Sequence, residues 1–143
     1  MSDRLCHTAS IQVGVPAEQA FAFMADGMKQ GEWAFGSWQR RQVGDDLFVG
    51  SSLFSGREVY VRLTPEAERM LVHYAVGPDP EHLLPRVIGR VVPGAELGLG
   101  ADCCVVTLVL WRAAEMSDGD WQMLRSAHEA EMFVIRRLIE AEN

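Results

Sequence analysis

The sequence has little cysteine and a shortage of positive charge. Its three cysteines are an odd number and lack the spacing of a disulfide framework. Cys103 and Cys104 are adjacent, and a bond between them would be strained because neighbouring strand residues point to opposite faces. We expect all three thiols to be reduced. With 13 Lys and Arg against 20 Asp and Glu, the net charge of −7 argues against a nucleic-acid partner, since backbone phosphates need a basic surface.

Signals for membranes, metals and covalent catalysis are also missing. No apolar run approaches the roughly eighteen residues that span a bilayer. The opening Met-Ser-Asp-Arg lacks the order of a secretion signal, so we expect a cytoplasmic protein. The histidines are scattered and no Cys-x-x-Cys or His-Glu-x-x-His spacing occurs, so neither a metal nor a cofactor is expected. Ser51 and Ser52 lack a Gly-x-Ser-x-Gly elbow.

The chain does have the size and composition of one globular domain, which we place at residues 1–143. It is 48% hydrophobic and 23% charged, and no repeat or linker divides it. Alternating apolar residues predict a strand over His7–Val15. Pro16 ends that strand, and helical spacing then predicts a helix that ends near Gly27, a candidate left-handed cap. A short helical turn is predicted over Met28–Glu32.

Strand-like segments fill the middle of the chain. Ser55-Gly56 is a candidate two-residue turn, which would place Phe54 opposite Arg57. Pairing Leu63 with Met70 would continue the same apolar face into the next strand.

Two later strands are followed by a long helix. Pro85 interrupts the strand Leu83–Val92, which predicts an edge or a bulge there. The strand Cys103–Arg112 has apolar residues in both rows, so we expect cover on both faces. Ser117, with Asp120 three residues later, predicts the start of a helix that runs to Glu142. Six residues share one side of that helix at helical spacing: Trp121, Leu124, His128, Met132, Ile135 and Ile139.

The order of these elements resembles that of the START/Bet v 1-like (SRPBCC) superfamily, in particular its small bacterial polyketide cyclase/dehydrase-like members. The residues that carry the resemblance are Ile11–Asp26, Trp33 and the terminal helix from Trp121. The resemblance implies an α+β helix-grip fold. In that fold a curved, seven-stranded antiparallel sheet wraps around the C-terminal helix, two short helices follow the first strand, and an elongated cavity lies between sheet and helix.

Such a cavity predicts the binding of a small hydrophobic or amphipathic ligand. Apolar burial would supply affinity and a few polar groups would set orientation. We expect the walls to come from the inward rows of the strands and the last helix, with Trp33 near the entrance. The predicted lining is Trp33, Phe54, Val59, Val61, Val72, Tyr74, Val106, Leu108, Trp121, Leu124 and His128.

Two other functions stay open at this point. One is a cyclase- or dehydratase-like enzyme in which His128 acts with Glu131 or Tyr74 as acid and base, because residues three apart on a helix are neighbours. The other is an interaction subunit whose cavity is vestigial. Phe133 and Met123 fall outside the main apolar stripe of the last helix, which suggests a homodimer or another partner contact.

Arg86 and Arg90 share one face of their predicted strand. Pointing inward, their guanidinium groups would select a carboxylate or phosphate ligand. Pointing outward, they would be solvated, which avoids the cost of burying a charge. The sequence leaves both orientations open.

Overall fold

Seven strands and three helices form the part of the chain that the computed structural model describes, residues 4–142. In chain order they are β1 (Cys6–Val13), α1 (Ala17–Met24), α2 (Gly27–Gln30), β2 (Trp38–Gln42), β3 (Leu47–Ser51), β4 (Glu58–Glu66), β5 (Leu71–Gly77), β6 (Leu84–Pro93), β7 (Cys104–Trp111) and α3 (Asp118–Ala141).

The strands form one antiparallel sheet in the order β1-β7-β6-β5-β4-β3-β2. The first strand therefore pairs with the last, and α1 and α2 connect it to β2 at the opposite edge. α3 lies across the inner face of the sheet. The predicted α+β helix-grip architecture is confirmed. Within residues 4–142, none of the helices combines the length and apolar character needed to cross a membrane.

The β3–β4 hairpin differs from its predicted register by two residues. Phe48 pairs with Val61, and residues 53–56 form a four-residue loop in place of the predicted two-residue turn. The predicted pairing of Phe54 with Arg57 is therefore wrong. Because strand side chains alternate with a period of two, the even shift leaves each residue on its predicted face.

The β4–β5 connection is also longer than predicted. Leu63 pairs with Tyr74, not with Met70, because the connection contains the 3₁₀ turn Ala67–Arg69. Met70 closes that turn in the left-handed conformation, with φ of 50°. The shift is again even, so the apolar face is preserved.

Gly27 begins α2 and is not the left-handed cap of α1. Asp26 caps α2 by accepting hydrogen bonds from the N–H groups of Met28 and Lys29. A Cβ atom on Gly27 would lie 2.2 Å from the ring of Phe48. Close packing between α2 and β3, and not backbone conformation, therefore requires glycine here.

α3 begins as predicted, because the Ser117 side chain accepts a hydrogen bond from the N–H of Asp120 at 3.1 Å. Ile135 and Ile139 are fully buried, and Met132 is 3% exposed. They pack with Val13 of β1 and with residues of α1 in the main core cluster. The second half of α3 therefore closes tightly over one side of the sheet.

Candidate functional site

A cavity of about 190 Å³ lies between the first half of α3, taken here as residues 118–131, and the inner face of the sheet. The helix contributes Leu124, His128 and Glu131. The sheet contributes aliphatic side chains, from Val59, Val61, Val76, Val87 and Leu110. α2 and the segment after it contribute Gln30, Trp33, Ala34, Gly36 and Ser37. The lining is completed by Arg40, Arg86 and Met116.

Glu131 is the acidic group of this cavity and is 6% exposed. Its Oε2 accepts a hydrogen bond from the backbone N–H of Phe35 at 2.8 Å. Burial raises the pKa of Glu131 from its usual 4.5 to about 8, although the Phe35 N–H and the charge of Arg40 oppose the rise. Glu131 is therefore mostly protonated at neutral pH and can donate a hydrogen bond.

His128 lies one helical turn before Glu131 and is 5% exposed. Burial lowers the pKa of His128 to about 4, and the nearby His7, with ring centroids 6.1 Å apart, adds to the lowering. The ring is therefore neutral at pH 7. Its Nε2 is 3.9 Å from Oε1 of Glu131, and since both groups are neutral this pair is not a salt bridge. Its Nδ1 is buried without a hydrogen-bond partner among the described residues.

Arg40 holds the segment that forms one wall of the cavity. Its Nε donates to the carbonyl oxygen of Ser37 at 3.1 Å, and its Nη1 donates to the carbonyl of Gly27 at 3.1 Å and to the side chain of Gln30. Burial lowers the pKa of Arg40 to about 10, so it stays charged at neutral pH. Its Nη2 is buried, with no hydrogen-bond partner in residues 4–142.

Trp33 stands between the cavity and the packed core. Its ring meets the ring of Tyr74 edge to face, with centroids 6.3 Å apart. The Tyr74 hydroxyl donates to the carbonyl of Met24 at 2.7 Å, and burial raises the pKa of Tyr74 above its usual value. Tyr74 is thus a neutral structural contact that fixes Trp33, and it does not line the cavity.

Comparison with known proteins gives matches to solved structures only. No family model matches the sequence, and no curated protein matches it. The structure is similar to that of XoxI from Bacillus cereus, with a TM-score of 0.72 at 13% identity over 97% of this chain and 99% of that one. It is also similar to the Zhui aromatase/cyclase from a Streptomyces species, with a TM-score of 0.65 at 15% identity over 96% and 92% of the two chains.

A third similar structure is that of a START superfamily protein. A START superfamily protein from Mycobacterium smegmatis matches with a TM-score of 0.61 at 12% identity, over 96% of both chains. The chain has the START-type fold. At these identities the likeness concerns the fold, so any function has to be argued from the cavity itself.

Five residues of the predicted ligand site line the cavity of this START-type fold. They are Trp33, Val59, Val61, Leu124 and His128. Glu131, named with His128 in the enzyme alternative, lines it as well. The residues of β4 and α3 come together because the inward row of β4 and the inward side of α3 face each other, and Trp33 joins them from the segment after α2.

The other six predicted lining residues lie elsewhere. Five are packed in the protein interior: Val72, Tyr74, Val106, Leu108 and Trp121. Phe54 is 36% exposed on the β3–β4 loop, because the even register shift carries it beyond the end of the strand. The START-type cavity is therefore shorter than the predicted elongated one, and it occupies only the part of the interior under the first half of α3.

Arg40 is the main site residue that sequence reasoning missed. The Arg40-Arg41 doublet looks like a solvated surface pair, and Arg41 is indeed exposed. The pairing of β2 with β3 shifts by one residue between Trp38 and Arg41, and Gln39 adopts a φ of 50°. This bulge turns Arg40 inward. No sequence signal marks the bulge.

Val76 and Val87 also line the cavity, and their inward orientation could have been predicted from the sequence. Val76 continues the apolar row of Val72 and Tyr74 in β5, and Val87 pairs with Leu110. Their alternation alone predicts an inward position. The sequence could not show that this stretch of the row faces empty space.

Residues 4–142 contain no group of three or more His, Cys, Asp or Glu side chains that could hold a metal ion. The three cysteines are not disulfide-bonded. Met123 and Phe133 are 43% and 62% exposed, and a homodimer through them stays a prediction.

Proposed function

We propose that the protein binds a small, mainly apolar ligand of about the size of a single ring, in the cavity between α3 and the sheet. The observation that carries this proposal is a space of about 190 Å³ that the sheet lines mainly with aliphatic side chains. An apolar cavity of about 150 Å³ is large enough for a benzene molecule. A single-ring compound with a short substituent therefore fits, and a fused polycyclic ligand does not fit without rearrangement.

The polar groups of the cavity give the ligand an orientation. Protonated Glu131 can donate a hydrogen bond to a ligand oxygen, and it is itself fixed by the N–H of Phe35. His128 and Arg40 each have a buried nitrogen without a partner among residues 4–142. Unpaired buried polar groups are costly, so a ligand oxygen that lets one of them form a hydrogen bond would gain affinity.

Native mass spectrometry and calorimetry test the proposal. The freshly purified protein should retain, or bind from solution, a single-ring compound such as phenylacetamide with a stoichiometry of one. Leu124→Trp should abolish binding because the larger side chain occupies the cavity that Leu124 lines. Met123→Trp is the matched control, since Met123 is adjacent on α3 and exposed.

The outcomes separate clearly. Binding that Leu124→Trp removes and Met123→Trp leaves intact supports the cavity as the site. If both variants bind the compound as tightly as the wild type does, the ligand binds outside this cavity. No bound or bindable small apolar compound in the wild type would favour the interaction-subunit alternative.

A second candidate function is proton-transfer catalysis on a carbonyl ligand. The observation that favours it is the protonation of the pair: His128 is neutral and can accept a proton, and Glu131 is protonated and can donate one. His128 would take a proton from the carbon next to the carbonyl while Glu131 gives its proton to the carbonyl oxygen. The product is an enol, the intermediate from which aldol-type cyclisation and dehydration start.

Deuterium exchange distinguishes this enzyme from a pure binding protein. Phenylacetone in deuterated buffer should exchange its α-hydrogens faster with the wild type than with His128→Gln or Glu131→Gln, while ligand binding persists. Glu140→Gln is the control, because Glu140 is an exposed carboxyl on the same helix that does not line the cavity. Exchange at the same rate in all four proteins would exclude the catalytic role.

A further inference from the structure

The cavity lining carries positive charge that the protein does not neutralise. Arg40 and Arg86 both line the cavity. Glu131 is the one acidic residue in the lining among the described residues, and its carboxyl is mostly protonated at neutral pH. The protein as a whole has a net charge of −7, so this positive site contrasts with the rest of the chain.

Both arginines reach the cavity at irregularities in the sheet. Arg40 lies in the bulged part of β2, between Trp38 and Arg41. Arg86 lies where the β5–β6 pairing shifts by one residue, between the Tyr74–Val87 and Ala75–Pro85 pairs. A bulge re-aims a side chain that strict alternation would send to the other face. Two separate bulges that each bring a guanidinium to one cavity point to a role for the charge.

Arg86 is the arginine whose guanidinium group can form hydrogen bonds directly with a ligand. Its Nε donates to the carbonyl oxygen of Trp111 at 3.2 Å, which fixes the guanidinium plane. No hydrogen bond joins its two terminal nitrogens to any atom of residues 4–142. Burial lowers the pKa of Arg86, and the exposed Glu115 partly opposes this through its charge. A fixed, half-buried guanidinium with two free terminal N–H groups matches the two oxygens of a carboxylate.

Arg40 adds to the positive field from the inner wall. Its hydrogen bonds go to neutral groups, the carbonyls of Ser37 and Gly27 and the side chains of Ser37 and Gln30. Nothing in its contacts cancels its charge. An anion in the cavity would be attracted by Arg40 as well as by Arg86.

We propose, on the basis of the proposed function, that the ligand is a single-ring carboxylic acid bound as its anion, with the carboxylate on Arg86 and the ring against Val76, Val87 and Leu110. Val87 follows Arg86 in β6 and pairs with Leu110. Together with Val76 they form the apolar wall beside the guanidinium. This arrangement neutralises a half-buried charge and buries the ring at the same time.

The test compares phenylacetate with phenylacetamide, which have the same shape and differ in charge, by calorimetry at pH 7. The wild type should bind phenylacetate at least about 10-fold more tightly, the lower end of what hydrogen bonds to a charged group contribute. Arg86→Gln should reduce that preference, taken as the ratio of the two affinities in the same variant, to about threefold or less. Arg86→Lys should keep an intermediate preference, because lysine retains the charge but not the paired donors.

Arg90→Gln is the matched control. Arg90 lies on the same strand, is likewise half-buried and does not line the cavity, so this variant should keep the preference of the wild type. Equal affinity of the wild type for the two compounds would overturn this inference and leave the proposed function standing. The same loss in Arg90→Gln as in Arg86→Gln would also overturn it. If neither compound binds the wild type, the proposed function itself fails.

Discussion

The two halves of α3 cover the same sheet, but one packs against side chains and the other borders a cavity. In the second half, Ile135 and Ile139 are fully buried and interlock with the strands and α1. In the first half, Leu124, His128 and Glu131 face a cavity of about 190 Å³.

The side chains themselves account for this difference. Aliphatic residues pack to the density of a crystal when their shapes match, as in the second half of α3. The first half presents two polar side chains, His128 and Glu131, which both line the cavity and whose Nε2 and Oε1 atoms, 3.9 Å apart, are too far from each other for a hydrogen bond. Trp33, fixed by Tyr74, stands where the packed region ends. The empty space therefore lies at one end of the interior, beside a fully packed region at the other.

The largest expected effect is the contrast between truncations in the two halves. Ile135→Ala should reduce the free energy of unfolding by about 2–5 kcal/mol, because it opens a new cavity in a packed region. Leu124→Ala should cost about 1 kcal/mol, since its side chain already borders empty space and is half-buried. Urea denaturation of both variants measures this contrast. Equal losses would mean that the two halves are packed alike.

A pH effect of a few kcal/mol is expected from Glu131. Its pKa is about 8 in the folded protein against 4.5 ordinarily, so the folded state binds the proton more tightly than the unfolded state. Stability should therefore fall as pH rises from about 4.5 through 8. Glu131→Gln, which keeps an oxygen for the Phe35 N–H, should remove this fall in denaturation curves measured between pH 5.5 and 9.

Glu140→Gln is the control for that measurement. Glu140 also accepts a backbone hydrogen bond, from Gly14 at 2.8 Å, but it is exposed. The slope of stability against pH should stay as in the wild type. A slope that Glu140→Gln removes and Glu131→Gln retains would contradict the account of a protonated carboxyl in the cavity.

His128 should produce a somewhat smaller effect of the opposite sign. Its pKa is about 4 in the folded protein against 6.5 ordinarily, so the unfolded state binds the proton more tightly. Stability should therefore fall as pH drops from about 6.5 to 4, and His128→Gln should reduce that loss. The exposed His82→Gln serves as a control in the same denaturation series. A wild-type acid transition that His128→Gln leaves unchanged would contradict the burial of a neutral imidazole.

The smallest effect expected at the cavity comes from adding one methyl group. Val76→Ile extends into the cavity and should change stability by less than about 0.5 kcal/mol in either direction. Val106→Ile, in the packed region, should cost about 1–3 kcal/mol because no space is available. Thermal denaturation of the pair measures the difference. A similar cost for both substitutions would show that the interior near Val76 is filled.

Much of the fold could be predicted because it depends on periodicity. The inward side of α3 and the apolar rows of β4 and β5 follow from spacings of 3.6 and two residues. Even the wrong hairpin registers placed Phe48 and Leu63 on the correct face, since both shifts were even. An error of two residues in the length of a loop leaves every side chain on its predicted face of the sheet, whereas an error of one residue moves every side chain to the other face.

The candidate site was harder to predict because it depends on breaks in that periodicity. Arg40 and Arg86 both sit beside one-residue shifts in strand pairing, which no local pattern marks beyond Pro85. Tyr74 has the chemistry of a ligand contact, yet its hydroxyl is used by the carbonyl of Met24. Which inward residues border empty space depends on how the sheet, α3 and the segment of α1 and α2 pack together, and a single sequence does not specify that.

The central claim is that one half of the interior is hollow and accepts a guest. Methyl NMR spectra recorded during a titration of the intact protein with phenylacetamide test it most directly. We predict saturable shifts at the methyl groups of Val61, Val76, Val87 and Leu124, with those of Ile135 and Ile139 unaffected. Shifts that spread equally over both halves of α3, or no saturable shift at the cavity residues, would contradict the account.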